Sequence, residues 1–462
     1  MDQQSLQSRL AQLVEKHKVP GAAVGVLQNG EVTEAAAGVI NRNTGVEATT
    51  DTLWQIGSMS KPWTATVVMQ LVDEGKLDLD APVRDVINDF KVTDEDVAAK
   101  VTLRHLLSHT SGIDGDHFQD FGRGDDCLEK YVAATATLNQ THPLGATMSY
   151  CNTGFSIAGR MIELITGQVW DQAMREKLYA PLGLTHTNTL PEEALLFRTA
   201  VGHIKLNPKD PETVAPMWML PRVCGPMGLI NSSVGDVLVW AKMHLDGGKA
   251  PDGTQVLSEK SVKAMQEPQI AVPDPHTLGS HWGVGWILFD WAGASGESQR
   301  LYGHDGNTVG QSAFLRIAPD ANLAITLLTN GGDAHDLYMT LYGELMQELA
   351  GITMPAMPKL PETPLEMELA PYAGTYERLS VKIDLEPKDG QLVGTTTLSG
   401  PLATMLPNPV QPIVLTPIDD TTFLSSSPEE PDATPTPAVF YDFVDGRPSY
   451  LHLGARTHPR VG

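Results

Sequence analysis

Three short stretches of the chain carry residue types able to do acyl chemistry. The first is Gly57-Ser58-Met59-Ser60-Lys61, at the expected start of a helix. Ser58 and Lys61 stand three apart, so on a helix they share a face. A serine needs a base beside it to become a nucleophile, and a partly desolvated lysine can be that base. A helix start also offers free N–H groups and a partial positive charge. The plainer alternative is a capping serine with a solvated lysine one turn on. Trp54, Ile56 and Trp63 around the pair point instead to a buried setting.

The second stretch is Tyr150-Cys151-Asn152. Tyr150 and Asn152 face the same way if the segment is extended. A phenol can relay a proton, and an amide can bind both a lysine and a substrate carbonyl. Alone, this pattern is weak, and a core tyrosine with a bonded hydroxyl is the default reading. The third is Gly303-His304-Asp305-Gly306-Asn307, ahead of a strand expected from 311. Glycines at a sheet edge would let a ligand approach the backbone, and N–H groups there can hold an oxyanion. A simple turn is the alternative, since Asp-Gly and Gly-Asn favour turns.

These residues need elements to hold them. Leu6, Leu10, Leu13 and Val14 mark an amphipathic helix over residues 5–18, stopped at Val19-Pro20-Gly21. Residues 22–28 and 31–38 read as strands around Asn29-Gly30, a strong hairpin signal. Helical segments follow at 61–74, 103–107 and 156–165, and from Ser233 to His244 with a capping box between Ser233 and Asp236. Strands return at 311–317 and 323–329 around Pro319-Asp320-Ala321-Asn322, and a helix closes at 336–349. The first hairpin and the late strands are expected to join one antiparallel sheet, with the helical middle inserted between them: an α+β sandwich with a helical lobe.

Pro355, Pro358, Pro361 and Pro364 recur every three residues, which would line one edge of a stiff polyproline spacer. Beyond it, short alternating strands at 381–385, 440–443 and 450–453 predict a small all-β domain over residues 366–462, with 425–437 as a loop. The expected division is therefore 1–352, a linker at 353–365, and 366–462.

Composition removes several functions. The 462 residues carry a net charge of −24, which disfavours a nucleic-acid partner or an anionic membrane surface. No apolar run is long enough to span a bilayer, so no membrane partner is expected. Cys127, Cys151 and Cys224 are neither a disulfide framework nor a zinc site. The polar start Met1-Asp2-Gln3-Gln4-Ser5 shows no signal peptide, so a reducing, cytoplasmic location is expected, with prior removal of such a segment as the alternative. His105 and His109 have the spacing of a zinc pair but lack a following Glu and a third ligand, so no metal is expected, and His109 reads as structural. Cys151 should face away from its neighbours as a packed small residue.

Taken together, S-x-x-K, Y-x-N and H-x-G in that order resemble the class C β-lactamase-like serine hydrolases, which include D-alanyl-D-alanine carboxypeptidases, D-aminopeptidases and family VIII esterases. They are cousins of a pattern in which S-D-N and K-T-G fill the later slots. Leu106-Leu107-Ser108-His109-Thr110-Ser111-Gly112, Pro181-Leu182-Gly183-Leu184 and Gly228-Leu229 also look like the family, and the likeness covers roughly residues 5–350. The stretch from Tyr372-Ala373-Gly374-Thr375-Tyr376 resembles the lipocalin-like β domain that some members append.

The resemblance implies a β-lactamase/transpeptidase-like fold and two-step acyl-enzyme chemistry without a metal or organic cofactor. It makes Ser58 the nucleophile, Lys61 its base, Tyr150 a proton shuttle to the leaving group, and Asn152 the residue that positions Lys61 and substrate. His304 and Gly306 fill the third motif, and the N–H groups of Ser58 and Asn307 would form the oxyanion hole. His304 stands where true class C β-lactamases hold a lysine. A mostly neutral histidine weakens a β-lactamase reading and favours ester, amide or peptidyl substrates. No G-x-S-x-G elbow points to an α/β-hydrolase. Penicillin-binding-protein-type thioesterases, which cyclise nonribosomal peptides, also resemble this chain. In them a basic residue of the tail reaches the site; Arg456 is the candidate here, a surface arginine being the alternative, and a carrier-protein-bound peptide would be the partner. Gly112-Ile113-Asp114-Gly115-Asp116 and Gly122-Arg123-Gly124-Asp125-Asp126 are compatible with that subgroup. A catalytically idle binding module remains a third reading.

Overall fold

A computed structural model describes residues 2–206, 210–403, 408–428 and 434–461. Its largest sheet has nine antiparallel strands, in spatial order Val46–Glu47, Glu31–Asn41, Gly21–Gln28, Leu323–Thr329, Ser312–Ala318, Ser298–Asn307, Ile287–Ala292, His281–Trp282 and Ile270–Ala271. The first hairpin thus pairs with the late strands, Val24 opposite Leu327, and the helical middle is inserted between them. The hairpin turns at Asn29 and Gly30, with φ of 51° and 85°.

Side chains of the central strands alternate between two cores. Ala22, Val24 and Val26 pack with Leu6, Leu10, Leu337, Leu341 and Leu345 of helices Gln3–Lys16 and Ala334–Ala350. Ala23 and Leu27 face the other way, into the core of the helical lobe. Gly25 is needed on that face: a Cβ there would lie 2.8 Å from Leu238 Cδ1 of helix Val234–Leu245. In the lobe, helix Ser60–Asp73 is buried along nearly its whole length, and Trp63 stacks on Trp240 at 4.5 Å.

Eight further strands, from Gly374–Arg378 to Arg456–Val461, close into a barrel of the lipocalin-like kind, and Thr375 pairs with Val461 at the seam. Tyr376, Leu392, Leu415, Phe423, Phe440 and Leu451 form a fully buried core within it. Residues 354–369 between sheet and barrel carry no helix or strand.

Three sequence expectations change. The strand Ser298–Asn307 is interior, paired with Ile287–Ala292 on one side and Ser312–Ala318 on the other, so its glycines do not lie on a sheet edge. Only half of the capping box forms: Ser233 Oγ accepts from Asp236 N–H at 3.3 Å, while the Asp236 carboxylate accepts from His186 N and Thr187 Oγ1. Of the loop expected at 425–437, residues 429–433 lie outside the described residues, and its two ends belong to strands Thr422–Ser426 and Thr436–Val444.

Candidate active site

Ser58 sits in a single 3₁₀ turn, Gly57–Met59, that runs into helix Ser60–Asp73. Side chains three apart eclipse in such a turn, which brings Ser58 and Lys61 together. Lys61 Nζ lies 3.0 Å from Ser58 Oγ and donates to Met227 O at 2.7 Å. The turn is pinned from the lobe: Ile56 N donates to Ile230 O, and Ile230 N donates to Ser60 Oγ. From the sheet side, strand Ser298–Asn307 presses directly on it. A Cβ on Gly306 would stand 1.9 Å from Ile56 O and 2.9 Å from Ser58 N, so only glycine permits this approach. A Cβ on Gly57, whose φ is +51°, would likewise stand 2.6 Å from Asn307 N. The Ser58 and Asn307 amides are therefore neighbours.

Cys151 is extended, and Asn152 opens helix Asn152–Thr166. Ser58, Tyr150, Asn152, His304, Asn307 and Arg456 line one cavity of about 300 Å³. Lys61 lies beneath it with no exposed surface. Its Nζ is 4.8 Å from the centroid of the Tyr150 ring. That ring also stacks on His109, at 4.3 Å, and meets Trp282 edge-on, at 5.6 Å.

Burial, reinforced by the nearby Arg456 charge, holds the Lys61 pKa well below its ordinary value. Burial raises that of Tyr150 despite its bond to Ser58, so the phenol stays protonated. For His304, burial and then Lys61 push the pKa down to about 3. Its Nδ1–H donates to Asp305 O at 2.6 Å, which leaves Nε2 as a buried acceptor without a partner among the described residues. The site thus sets a lysine of depressed pKa, a protonated phenol and a neutral imidazole around a serine.

The cavity's positive charge comes from the barrel. Hairpin Arg447–Leu453 to Arg456–Val461 inserts its turn beside the catalytic lobe. Tyr150 N donates to Ala455 O at 2.9 Å, and Thr457 N to Ser149 Oγ at 3.1 Å. Arg456 Cζ then lies 4.8 Å from the Tyr150 ring centroid, so this arginine is no bystander on the surface. Asp116 receives Arg456 through Nε and Nη2, both at 3.0 Å, and Arg378 Nη1 at 3.0 Å.

Sequence reasoning missed Asp116 and Arg378. Asp116 does lie in the stretch 112–116 noted above, but no local spacing ties it to barrel arginines. One expected contact differs. Asn152 Nδ2 donates to Asp116 Oδ1 at 2.9 Å, and Lys61 Nζ donates to Ser58 Oγ and Met227 O rather than to Asn152. His109 is structural, its Nδ1 accepting from Cys151 N at 2.9 Å. Cys151 is buried outside the cavity lining, and burial pushes its thiol pKa up to about 12. Among the described residues, no group of three His, Cys, Asp or Glu is placed to hold a metal, and no helix is long and apolar enough to cross a membrane.

Comparison with known proteins agrees with this architecture. Over its full span the chain is similar to a protein solved as "Crystal structure of SurE", with a TM-score of 0.79 and 29% identity over 99% of each chain. A second structure of that protein, "with D-Leu", gives a TM-score of 0.77, also with 29% identity over 99% of each chain. The unguisins hydrolase ungD' of Aspergillus campestris (strain IBT 28561) is 26% identical over 332 residues, 69% of this chain and 60% of that protein. Penicillin-binding protein 4 of Amycolatopsis lactamdurans is 48% identical over 374 residues, 80% of this chain and 97% of that protein. The beta-lactamase family description matches residues 6–343, which take in the serine–lysine turn, Tyr150, Asn152 and the His304 strand, and the chain belongs to that family of serine hydrolases.

Proposed function

We propose that the protein forms an acyl-enzyme on Ser58 and acts on ester, amide or thioester bonds of peptide-like substrates. The observation that carries this reading is the buried Lys61 amine 3.0 Å from Ser58 Oγ, with its pKa depressed. A neutral amine can take the hydroxyl proton as Oγ attacks the substrate carbonyl. The Ser58 and Asn307 N–H groups stand ready for the resulting oxyanion. Tyr150, protonated and bonded to Ser58, is placed to pass a proton to the leaving group. Water or an amine then attacks the acyl carbonyl and Ser58 regains its proton.

The cavity of about 300 Å³ shares Leu220 as a wall with a neighbouring one of about 210 Å³, room for more than one residue of an acyl chain. The test is a covalent adduct of a fluorophosphonate or β-lactam probe on Ser58, read by mass spectrometry. Full activity in Ser58→Ala would sink the reading. Turnover of a p-nitrophenyl ester separates it from an idle binding module.

A second reading is favoured by the position of Arg456. A cyclase must hold two ends of one chain: the acyl group on Ser58 and the incoming amine of the same peptide. Neutral His304 supplies no fixed charge, whereas Arg456 does, from the barrel. This supports a peptide cyclase over a β-lactamase or a D,D-carboxypeptidase, with a carrier-bound peptide as donor. The D-Leu in the structure of its relative supports a D-residue at the acyl position. Incubation with a peptidyl thioester ending in a D-residue decides: macrocycle means cyclase, linear acid alone means hydrolase. A cytoplasmic setting belongs to this proposal, suited to three free, buried thiols, and cell fractionation tests it.

A further inference from the structure

The carboxylate of Asp116 is a junction between the two folded units. Oδ1 accepts from Asn152 Nδ2 at 2.9 Å and from Arg456 Nη2 at 3.0 Å. Oδ2 accepts from Arg456 Nε and Arg378 Nη1, each at 3.0 Å. Four donors saturate a group with about four lone-pair directions. The side chain is 5% exposed, and Arg378 and Arg456 are 9% and 24% exposed. Burial would raise the Asp116 pKa, yet the two guanidiniums and the Asn152 amide outweigh it and hold the group well below the usual carboxylate range.

We infer that Asp116 is the positioning residue through which the barrel sets the catalytic centre, fixing Arg456 over the Tyr150 ring and orienting the Asn152 amide. This rests on the acyl-enzyme reading above. A carboxylate accepts and cannot donate, so it fixes which end of the Asn152 amide faces it. Nδ2 turns to Asp116, and Oδ1 stays free of protein donors among the described residues, on a side chain that lines the cavity. The bidentate pair locks the guanidinium plane of Arg456 as well as its charge. Asp116 and its two arginines alone sum to +1, Asp114 acts on all three of them electrostatically, and it is Arg456 that reaches the cavity. One acid thereby couples the two cavity groups that come from different units.

A latch that only holds barrel to lobe is a competing role, and Asp114 already has it, accepting from Leu379 N. The two roles separate experimentally. Fluorophosphonate labelling of the wild-type chain at Ser58 tests the underlying reading; the ratio of variant to wild type tests Asp116. Asp116→Asn is expected to cut kcat on a neutral p-nitrophenyl ester through Asn152. It should also raise KM for a peptidyl thioester through Arg456, each by ~10–100-fold, the scale of a misplaced positioning group. Because that variant strands a buried cation, Asp116→Asn with Arg378→Gln is made in parallel, which restores the cluster's net charge. The pair should recover Tm without recovering kcat. In a cycle with Arg456→Gln, the KM effects should be strongly non-additive. The inference is overturned if the folded Asp116→Asn/Arg378→Gln chain keeps kcat and KM within about twofold of wild type, or if the cycle is additive.

Discussion

Gly306→Ala tests whether close backbone approach builds the oxyanion site. The new methyl would stand 1.9 Å from Ile56 O and 2.9 Å from Ser58 N, whereas real Cβ contacts essentially never fall below 3.0 Å. The strand Ser298–Asn307 and the nucleophile turn must therefore part by about 1 Å. Both are backbone, so no flexible side chain can absorb the shift. A misplacement of about 1 Å costs ~10²-fold in rate. Loss of one oxyanion donor costs ~10²–10³-fold, or about 2.7–4 kcal/mol in the barrier. The Ser58 and Asn307 amides lie on opposite sides of the new gap, so the expectation is a kcat loss of ~10²–10³-fold with a much smaller change in KM.

Overpacking also costs about 1–3 kcal/mol of stability, so a control with the same clash elsewhere is needed. Gly303→Ala provides it. Its methyl would stand 2.0 Å from Leu315 O, pushing the strand away from its sheet neighbour and not from Ser58. Steady-state kinetics on a p-nitrophenyl ester, with Tm measured for both variants, make the comparison. Equal kcat losses in the two, or a Gly306→Ala enzyme within about threefold of wild type, would refute the reasoning, since a parted oxyanion site costs at least ~10²-fold and only at Gly306.

Lys61→Met should lower acylation of a fluorophosphonate probe by ~10²–10⁴-fold while raising Tm. The sign follows from linkage: the folded pKa lies below the unfolded ~10.4, so the unfolded chain binds the extra proton and this lysine subtracts stability as pH falls from there. A lower Tm would contradict it. In pH profiles, kcat/KM should fall on the acid side as Lys61 protonates, with no loss from Tyr150 ionisation below its ordinary value of about 10, because burial raises that pKa. His304, with a pKa of about 3, should add no limb near neutrality; a limb near pH 6.5 abolished by His304→Gln would show otherwise. Asp305→Asn should cost about 3–5 kcal/mol in urea unfolding. It strips the bidentate partner from Arg316, which is 2% exposed, and Asp305→Asn/Arg316→Met should recover most of that loss.

Much of the scaffold was legible because burial writes itself locally. Strand Leu323–Thr329 and the Asn29-Gly30 turn follow from apolar runs and turn residues, and the closing helix Ala334–Ala350 follows from its spacing. Sheet order is not local. Period-two alternation shows that Ser298–Asn307 can be a strand but not that it has a neighbour on each side. The motif residues were legible by type, yet their protonation was not, since it depends on burial. The same lysine would hold its proton firmly in water, and only burial beneath Ser58 pulls its pKa well below the ordinary value.

The hardest feature to read was the origin of the site's positive charge. A chain with a net charge of −24 gives no hint of a cationic pocket, and His304 removes the obvious source. The answer is separated from its partner by 340 residues. Ala455 holds a φ of +69°, a region that costs a non-glycine residue about 1–2 kcal/mol. That cost is met where the turn's carbonyl accepts the Tyr150 N–H and the next side chain reaches Asp116. Ala455 is one of several barrel residues at positive φ, and its carbonyl is the one that meets the Tyr150 N–H. The barrel is therefore best understood as a packed frame that presents one arginine, since its interior is filled by Tyr376, Phe423 and Phe440. The hairpin places Arg456 against Tyr150, and Arg378 at the end of strand Gly374–Arg378 reaches the same Asp116 carboxylate.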